Sequence, residues 1–394
     1  MKKYFILAAM LLWGAAAMAA SPHFAAALSY DGQTYVYTDF GKAFQVEGKI
    51  LSVFFDGATI WTLTTPDINY LCGNLICHEY RVYKNTELMK TYKGNSNERY
   101  FSVAMRVKDG HVVVAGSKVR GFNKKGVEAC LFGEVDFKKS YQTDYVRKSL
   151  KRENFRGFSV IDSGQPLVPA YDADGTYNLS VYYGVKDVDY YKGNIYASGW
   201  GEREYTNTYR AVKYYLVRRC PRVWKNGKEY LQQFENQTGA AYFINVVNAG
   251  GKKHVLTSGH HRGTGCGWDG EKIMYTYPKG EFAVESEAVI TKGSKIYRCS
   301  VVNRDHLCFT YQSDSSGGEP DQIFDSTDYD SIFYDVVADP ANMDFYVLTS
   351  PFKDSKVEIW RFHCSGSTLK APKKVLTLSV NKFEDRPKLA IISE

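Results

Sequence analysis

The feature that most restricts what this chain can become is a unit that recurs along nearly its whole length. In each copy an alternating apolar run enters a turn, usually one with Gly, and leaves as a second run rich in Val, Ile, Tyr or Phe. That is the signal of an antiparallel hairpin. Val53-Phe54-Phe55-Asp56-Gly57 leads to Ile60-Trp61, and Val103-Ala104-Met105 passes Asp109-Gly110 to Val112-Val113-Val114. Val188-Asp189-Tyr190 passes Lys192-Gly193 to Ile195-Tyr196, and Val246-Val247 passes Gly250-Gly251 to Val255-Leu256. Val289-Ile290 passes Lys292-Gly293 to Ile296-Tyr297, and Val336-Val337 passes Asp339-Pro340 to Phe345-Tyr346. Most intervals between copies are roughly 40 to 60 residues, the range of blade repeats built from four strands. One interval is much longer. It contains 148–184, with Gly164, Pro166, Pro169 and Asp172-Ala173-Asp174-Gly175, and reads as an insertion or a degenerate extra blade.

The second half of each unit repeats as well. Arg222-Val223-Trp224-Lys225-Asn226-Gly227 matches Arg81-Val82-Tyr83-Lys84-Asn85, with Trp268-Asp269-Gly270 as a shorter version. An aromatic strand running into Asn-Gly or Asp-Gly predicts a tight hairpin, because those residues accept the positive φ the turn needs. Near the start of the chain, Tyr30-Asp31-Gly32 and Phe44 are spaced as Trp268-Asp269-Gly270 and Phe282 are. The chain therefore begins with the outer half of a blade, and Lys388-Leu389-Ala390-Ile391-Ile392 at the other end supplies a candidate inner strand for it. A ring closed by strands from both ends hides the sheet edges that an open array leaves exposed. The expected fold is thus an all-β propeller of about seven four-stranded blades, with six or eight also allowed, and with almost no helix.

The aromatic-Lys-Asn-Gly turn resembles that of the secreted β-propellers of Bacteroidota with W-K-N-G type blade repeats. Residues 222–227 carry the motif in full, whereas Tyr83 replaces the Trp, Thr86 the Gly, and 268–270 lack the Lys. The resemblance implies a propeller fold and an exported location. The motif is a turn and carries over no functional residue.

Export is also expected from residues 1–19 taken alone. Lys2-Lys3 form a charged start, Tyr4 to Trp13 an apolar core, and Ala17-Met18-Ala19 a small-residue cleavage triplet, leaving 20–394 as a single propeller domain. The apolar core is too short to span a bilayer, and no later stretch suits a membrane span. Secreted, periplasmic and cell-surface locations all fit. Losing Lys2 and Lys3 takes the formal charge from +7 to +5, a mild and dispersed excess that argues against nucleic acid as a partner.

Eight cysteines in an exported chain predict disulfides. Cys299 and Cys308 flank a turn expected at Asn303-Arg304 and on that numbering stand directly opposite each other. Cys72 and Cys77 are close enough to close one small loop. Cys130, Cys220, Cys266 and Cys364 pair in any of three ways.

Candidate chemistry is sparse. His260-His261, with His254 and Cys266 nearby, forms the densest group of metal-type side chains, but its spacing matches no zinc site and adjacent strand residues face opposite ways. No metal and no cofactor are expected. The acidic pairs Asp187/Asp189 and Glu285/Glu287 share strand faces, as acid–base work requires, yet such alternation also describes a half-solvated strand. No nucleophile elbow, phosphate loop or Cys–His protease signature is present, so no catalytic residue is assigned. The leading expectation is a non-catalytic binding or scaffold protein that presents propeller loops to a protein or glycan. The alternative is a propeller enzyme acting on polysaccharide through paired carboxylates at the central channel. The loops between second and third strands share one face of a propeller with the links between blades. On that face Trp200, Arg203, His261, Arg262 and Arg304 are expected to border the ligand, because aromatic residues beside Arg and His make interface hot spots.

Overall fold

A computed structural model describes residues 23–392 apart from 67–69, 73–74, 78, 96, 121–127, 148, 152–160, 163–164, 167–169, 172–175, 179–182, 210–211, 233–238, 262–263, 278–283, 313–318, 353–355 and 381. The chain is a seven-bladed β-propeller. Blade 1 is composite: Phe24–Tyr30, Gln33–Thr38 and Gly41–Glu47 pair in order, and Glu384–Ile391 adds inside them. The N-terminal region therefore supplies three strands of this blade, one more than the outer half expected. The Asp31-Gly32 turn accordingly joins its second and third strands. Blades 2 to 7 begin with the inner strands Lys49–Asp56, Glu98–Lys108, Tyr183–Tyr191, Gly239–Ala249, Val284–Lys292 and Ser331–Asp339. Each inner strand touches the next, and Glu384–Ile391 touches both Ser331–Asp339 and Lys49–Asp56, which closes the ring. Among the described residues there is no α-helix, only a 3-10 turn at Ser326–Tyr329.

The hydrophobic core lies between blades. Ala104, Val113, Ala115 and Leu131 of blade 3 pack on Val188, Ile195, Ala197 and Trp224 of blade 4. Ile290, Tyr297, Cys299 and Phe309 of blade 6 pack likewise on Phe333, Phe345 and Phe362 of blade 7. Sheet faces that alternate inward and outward bury both sides this way only in a stacked ring, which is why one blade is not stable alone.

Two local devices recur. Each inner strand of blades 2 to 7 carries a bulge, and the residue just after it is Ser52, Ser102, Asp187, Phe243, Ser286 or Asp335. Four of these polar side chains accept a backbone N–H from the next blade's inner strand. Val185 donates to Ser102 Oγ at 3.0 Å and Ile244 to Asp187 Oδ2 at 3.0 Å. Val336 donates to Ser286 Oγ at 3.2 Å, and Leu389 to Asp335 Oδ2 at 2.8 Å. An inner strand has a free edge toward the channel, and these contacts satisfy part of it without another strand.

The second device explains the aromatic-Lys-Asn repeat. Asn85 and Asn226 lie at positive φ, 52° and 48°, and each exchanges two bonds with the second strand. Asn85 N–H donates to Ile60 O at 2.7 Å while its side chain accepts from Ile60 N–H at 3.0 Å. Asn226 does the same with Ile195 at 2.8 and 2.9 Å. Asp136, φ 49°, repeats this with Val112 at 2.8 and 3.0 Å, a copy of the turn that sequence inspection overlooked.

The disulfide expectation is overturned where side chains are described. Cys130, Cys220, Cys266, Cys299, Cys308 and Cys364 are buried thiols, not bridges. In blade 6 Cys299 stands opposite Phe309, and Cys308 opposite Ser300. The loop holds Asn303, Arg304 and Asp305 instead of two residues, so the register slips by one and the two sulfurs face opposite sides of the sheet. Burial pushes the Cys364 thiol up to about 12 and the Cys299 thiol well above its ordinary value, so both are protonated at neutral pH. Cys72 and Cys77 lie in a small hairpin, paired with Leu75 and Tyr70 respectively, and their side chains are outside the described residues.

Candidate functional site

Connections between second and third strands, and between one blade and the next, emerge together on what we call the loop face. Hairpins joining first to second and third to fourth strands form the opposite, turn face. On the loop face the long excursions concentrate in one sector. Blade 2 has 66–79, including the hairpin Tyr70–Cys72/Leu75–Cys77. Blade 3 has 121–127, and 143–182 links it to blade 4, with small sheets at Ser149–Lys151, Ala170–Tyr171 and Thr176–Asn178 and at Ile161–Asp162 and Gln165–Pro166. Among the described residues, blade 4 has the longest paired strands, Asn194–Tyr209 and Val212–Lys225. Their pairing runs without a break from Tyr196↔Lys225 to Tyr209↔Val212, far past the Gly184↔Trp200 pair near the end of the blade's inner strand. The overhang of about eight pairs makes a two-stranded ribbon on the order of 25 Å long. Second-to-third connections on blades 1, 5, 6 and 7 are short: 31–32, 262–263, 303–305 and 352–355.

The five expected ligand-face residues are distributed as follows. Trp200 lies within a strand, 5% exposed, instead of in the loop. Its indole fills the space over Gly184, where a Cβ would come within 2.4 Å of the ring, and it meets Phe101 edge-on at 6.3 Å. It is a packing residue between blades 3 and 4, and its expected role as an exposed anchor is withdrawn. Arg203 is in the ribbon, paired with Arg218. His261 ends a blade 5 strand, half-buried, opposite Gly239 and Thr264, while Arg262 is outside the described residues. Arg304 stands in the blade 6 loop at φ 65° with its guanidinium 5.7 Å from the Tyr334 ring of blade 7. Trp200 and Arg203 belong to blade 4, His261 to blade 5 and Arg304 to blade 6, so the structure does not gather them on one blade.

A rim cluster on blade 3, the blade before the ribbon's, escaped sequence inspection. The Arg120 guanidinium stacks on the Tyr145 ring at 3.8 Å and bonds Glu128 at 2.6 Å. Tyr145 donates its hydroxyl to Glu98, which also lies 3.6 Å from Lys118. Lys118 in turn covers the Tyr100 and Phe132 rings at 5.0 and 5.5 Å. Burial, the Glu98 hydrogen bond and Cys130 raise the Tyr145 phenol, so it stays a neutral donor. The cluster's members are far apart in the sequence: Glu98 begins the inner strand, Arg120 and Glu128 end and begin the next two, and Tyr145 lies in the link to blade 4.

The channel carboxylates that an enzymatic reading would need are already engaged. Asp189, 0% exposed, accepts from Lys108 Nζ at 2.8 Å and from Val246 N–H at 2.5 Å. Asp187 accepts from Arg106 at 2.9 Å and from the Ile244 and Val188 amides, and Arg106 also reaches Asn245 at 3.0 Å. Burial raises the Asp187 carboxyl above its ordinary value, and Arg106 offsets only part of that. Glu287 pairs with buried Arg298 at 3.0 Å, whose guanidinium also donates to the Thr257 and Trp268 carbonyls of blade 5. Glu285 pairs with Arg386. Asp325 caps the 3-10 turn by accepting from Thr327. Among the described residues no three His, Cys, Asp or Glu side chains converge as a metal site, and His254 is bonded to Asp269 at 2.7 Å.

No protein-family model matches the chain, and no curated protein matches it by sequence. Solved structures similar to it include Hsv2 of Kluyveromyces lactis, at 9% identity and TM-score 0.41, covering 89% of this chain and 95% of that one. The dihydro-heme d1 dehydrogenase NirN superposes at 11% identity and TM-score 0.42 over 94% of this chain and 75% of its own. The propeller domain of the trilobed protease of Pyrococcus furiosus does so at 11% and 0.31, over 82% and 94%.

Proposed function

We propose that this chain is an exported, non-catalytic binding propeller whose loop face, in the sector of blades 2 to 4, engages a protein partner at the cell envelope. The observation that carries the reading is the blade 4 ribbon. It extends past the blade's inner strand with pairing intact, and the neighbouring blade 3 carries the Arg120–Tyr145–Glu98 cluster. Its register sets Arg203, Tyr205, Asn207 and Tyr209 across from Arg218, Leu216, Tyr214 and Val212 on one face. Tyr- and Arg-rich positions supply interface hot spots, and a two-stranded ribbon also offers strand edges for pairing, which favours protein over glycan. Saturation of Asp187, Asp189 and Glu287 by amides and cations supports a frame role over acid–base work.

The test replaces 202–219 with an Asn-Gly turn joining Gly201 to Cys220, which are register partners. Mature protein, beginning after Ala19, captures its partner from cell-envelope extract by crosslinking, and the ribbonless variant loses that capture with its β-sheet spectrum unchanged. Undiminished capture by the ribbonless variant, with loss on altering the turn face, overturns the proposal. Edman sequencing of the exported protein checks the export half, with Ala20 as the expected first residue.

A further inference from the structure

On the turn face, blade 7 breaks the pattern of its neighbours. Its first hairpin is Asp339–Asp344 without a Gly turn, and its third strand leaves through the short strand Thr368–Leu369 before the outer strand Lys373–Ser379 begins. The gap so created is a pocket of about 550 Å³ lined by Asn342, Asp344, Arg361, His363, Lys370 and Lys373. We propose that this pocket is a binding site for a tetrahedral oxyanion, a sulfate or phosphate group.

The register brings the basic side chains together. Arg361 and His363 are two apart on one strand and share a face, and Lys373 is the direct partner of Arg361 on the outer strand. Like charges directly opposed across strands destabilise a sheet unless something offsets them. The carboxylate at hand is Asp344, which is buried and already engaged. Its Oδ1 takes His363 Nδ1 at 2.7 Å, and its Oδ2 lies 3.9 Å from Arg361. It leaves Lys370 and Lys373 uncompensated. The adjacent Lys374 is turned away to Glu358 at 2.6 Å, whereas neither Lys370 nor Lys373 has such a partner among the described contacts. The Asn342 amide is held by Asp339 at 2.8 Å, which fixes that wall. An Arg fork flanked by two Lys point charges and a His ring suits an oxyanion with three free oxygens better than a flat carboxylate. This site lies on the face opposite to the proposed partner surface and stands independently of it.

The experiment titrates the mature protein with inorganic sulfate, inorganic phosphate, glucose 6-sulfate and glucose 6-phosphate at constant ionic strength, with sodium chloride as the control. Heats and the His363 ring resonances are read together. Saturable binding is expected for the tetrahedral anions, with the His363 signal moving. Affinity falls at least about tenfold in Arg361→Gln and in Lys373→Gln, and further in the double variant. Lys373 is an exposed outer-strand residue, so its variant keeps the test alive if Arg361→Gln fails to fold. A preference between the two sugar esters identifies the source of the anion. Non-saturating shifts equal to those from chloride, or binding undiminished in the double variant, overturn the site.

Discussion

On the turn face, Gly57, Gly110, Gly193, Gly251 and Gly293 all lie at positive φ, between 56° and 79°, with nothing within 4 Å of where a Cβ would stand. On the loop face, second-to-third connections range from Asp31-Gly32 to the ribbon of 202–219. The first set is fixed by backbone geometry alone, since each turn must reverse a strand within the thickness of one blade. The second set has no such constraint, because nothing in closing the ring dictates how far those loops project. Blade 7 makes the point from the other side: where its turn face abandons the short hairpin, a pocket appears. Frame and function thus separate by whether closing the ring fixes a connection, and the separation can be attacked at three places.

The largest effect is expected in the channel, which belongs to the frame. Asp189→Ala removes the acceptor for Lys108 Nζ and for the Val246 amide in a fully buried position. A half-buried Lys108 charge without its carboxylate and an orphaned Val246 N–H together cost about 3 kcal/mol. Urea unfolding of mature protein reads this as a lower midpoint at unchanged slope. A loss under about 1 kcal/mol would mean that the blade 4–5 junction is not held by this carboxylate and that Asp189 is available for another role.

The middle effect lies on the turn face. Asn226→Ala loses the bond to the Ile195 amide and forces a Cβ-bearing residue without a local hydrogen bond into φ 48°. The expected cost is about 1–2 kcal/mol. Asn226→Gly keeps the backbone free and costs roughly half as much. Thermal unfolding of the two variants separates the hydrogen-bond share from the φ share. Equal losses in both would assign the turn's conservation of shape to the hydrogen bond alone.

The same division decides what could be read in the sequence. Blade number, in round terms, and ring closure were legible because hairpins recur at intervals of about one blade and positive-φ turns demand Asn, Asp or Gly. The composite blade was legible only in outline, since Asp31-Gly32 serves a second-to-third turn as readily as a third-to-fourth one. Cys299–Cys308 failed on a single residue of loop length, which periodicity cannot resolve but which flips every side chain beyond it. Trp200 failed differently. A Trp between two glycines resembles a loop anchor, yet Gly184, sixteen positions back and across the strand pair, offers it a seat that only the register reveals. The Arg120–Tyr145–Glu98 cluster was invisible because its members come from strand ends and a link that meet only at the blade rim.

The smallest effect on stability is expected at the most conspicuous element. Cutting the hairpin back to Gly201↔Cys220 leaves the blade 4 pairs from Tyr196↔Lys225 to Gly201↔Cys220 in place, along with the Asn226 turn and the Trp200 seat on Gly184. The ribbon's paired strands already hold Gly201 opposite Cys220, as the two-residue turn would, so the entropy of closing the connection changes little. The thermal midpoint of the ribbonless protein should therefore match the parent within the equivalent of about 0.5 kcal/mol, although a whole paired segment has gone. A loss above about 2 kcal/mol would show that the ribbon packs on the frame and does not merely stand on it. In that case its length would be explained by stability, and the loop face would lose its claim to be the functional side.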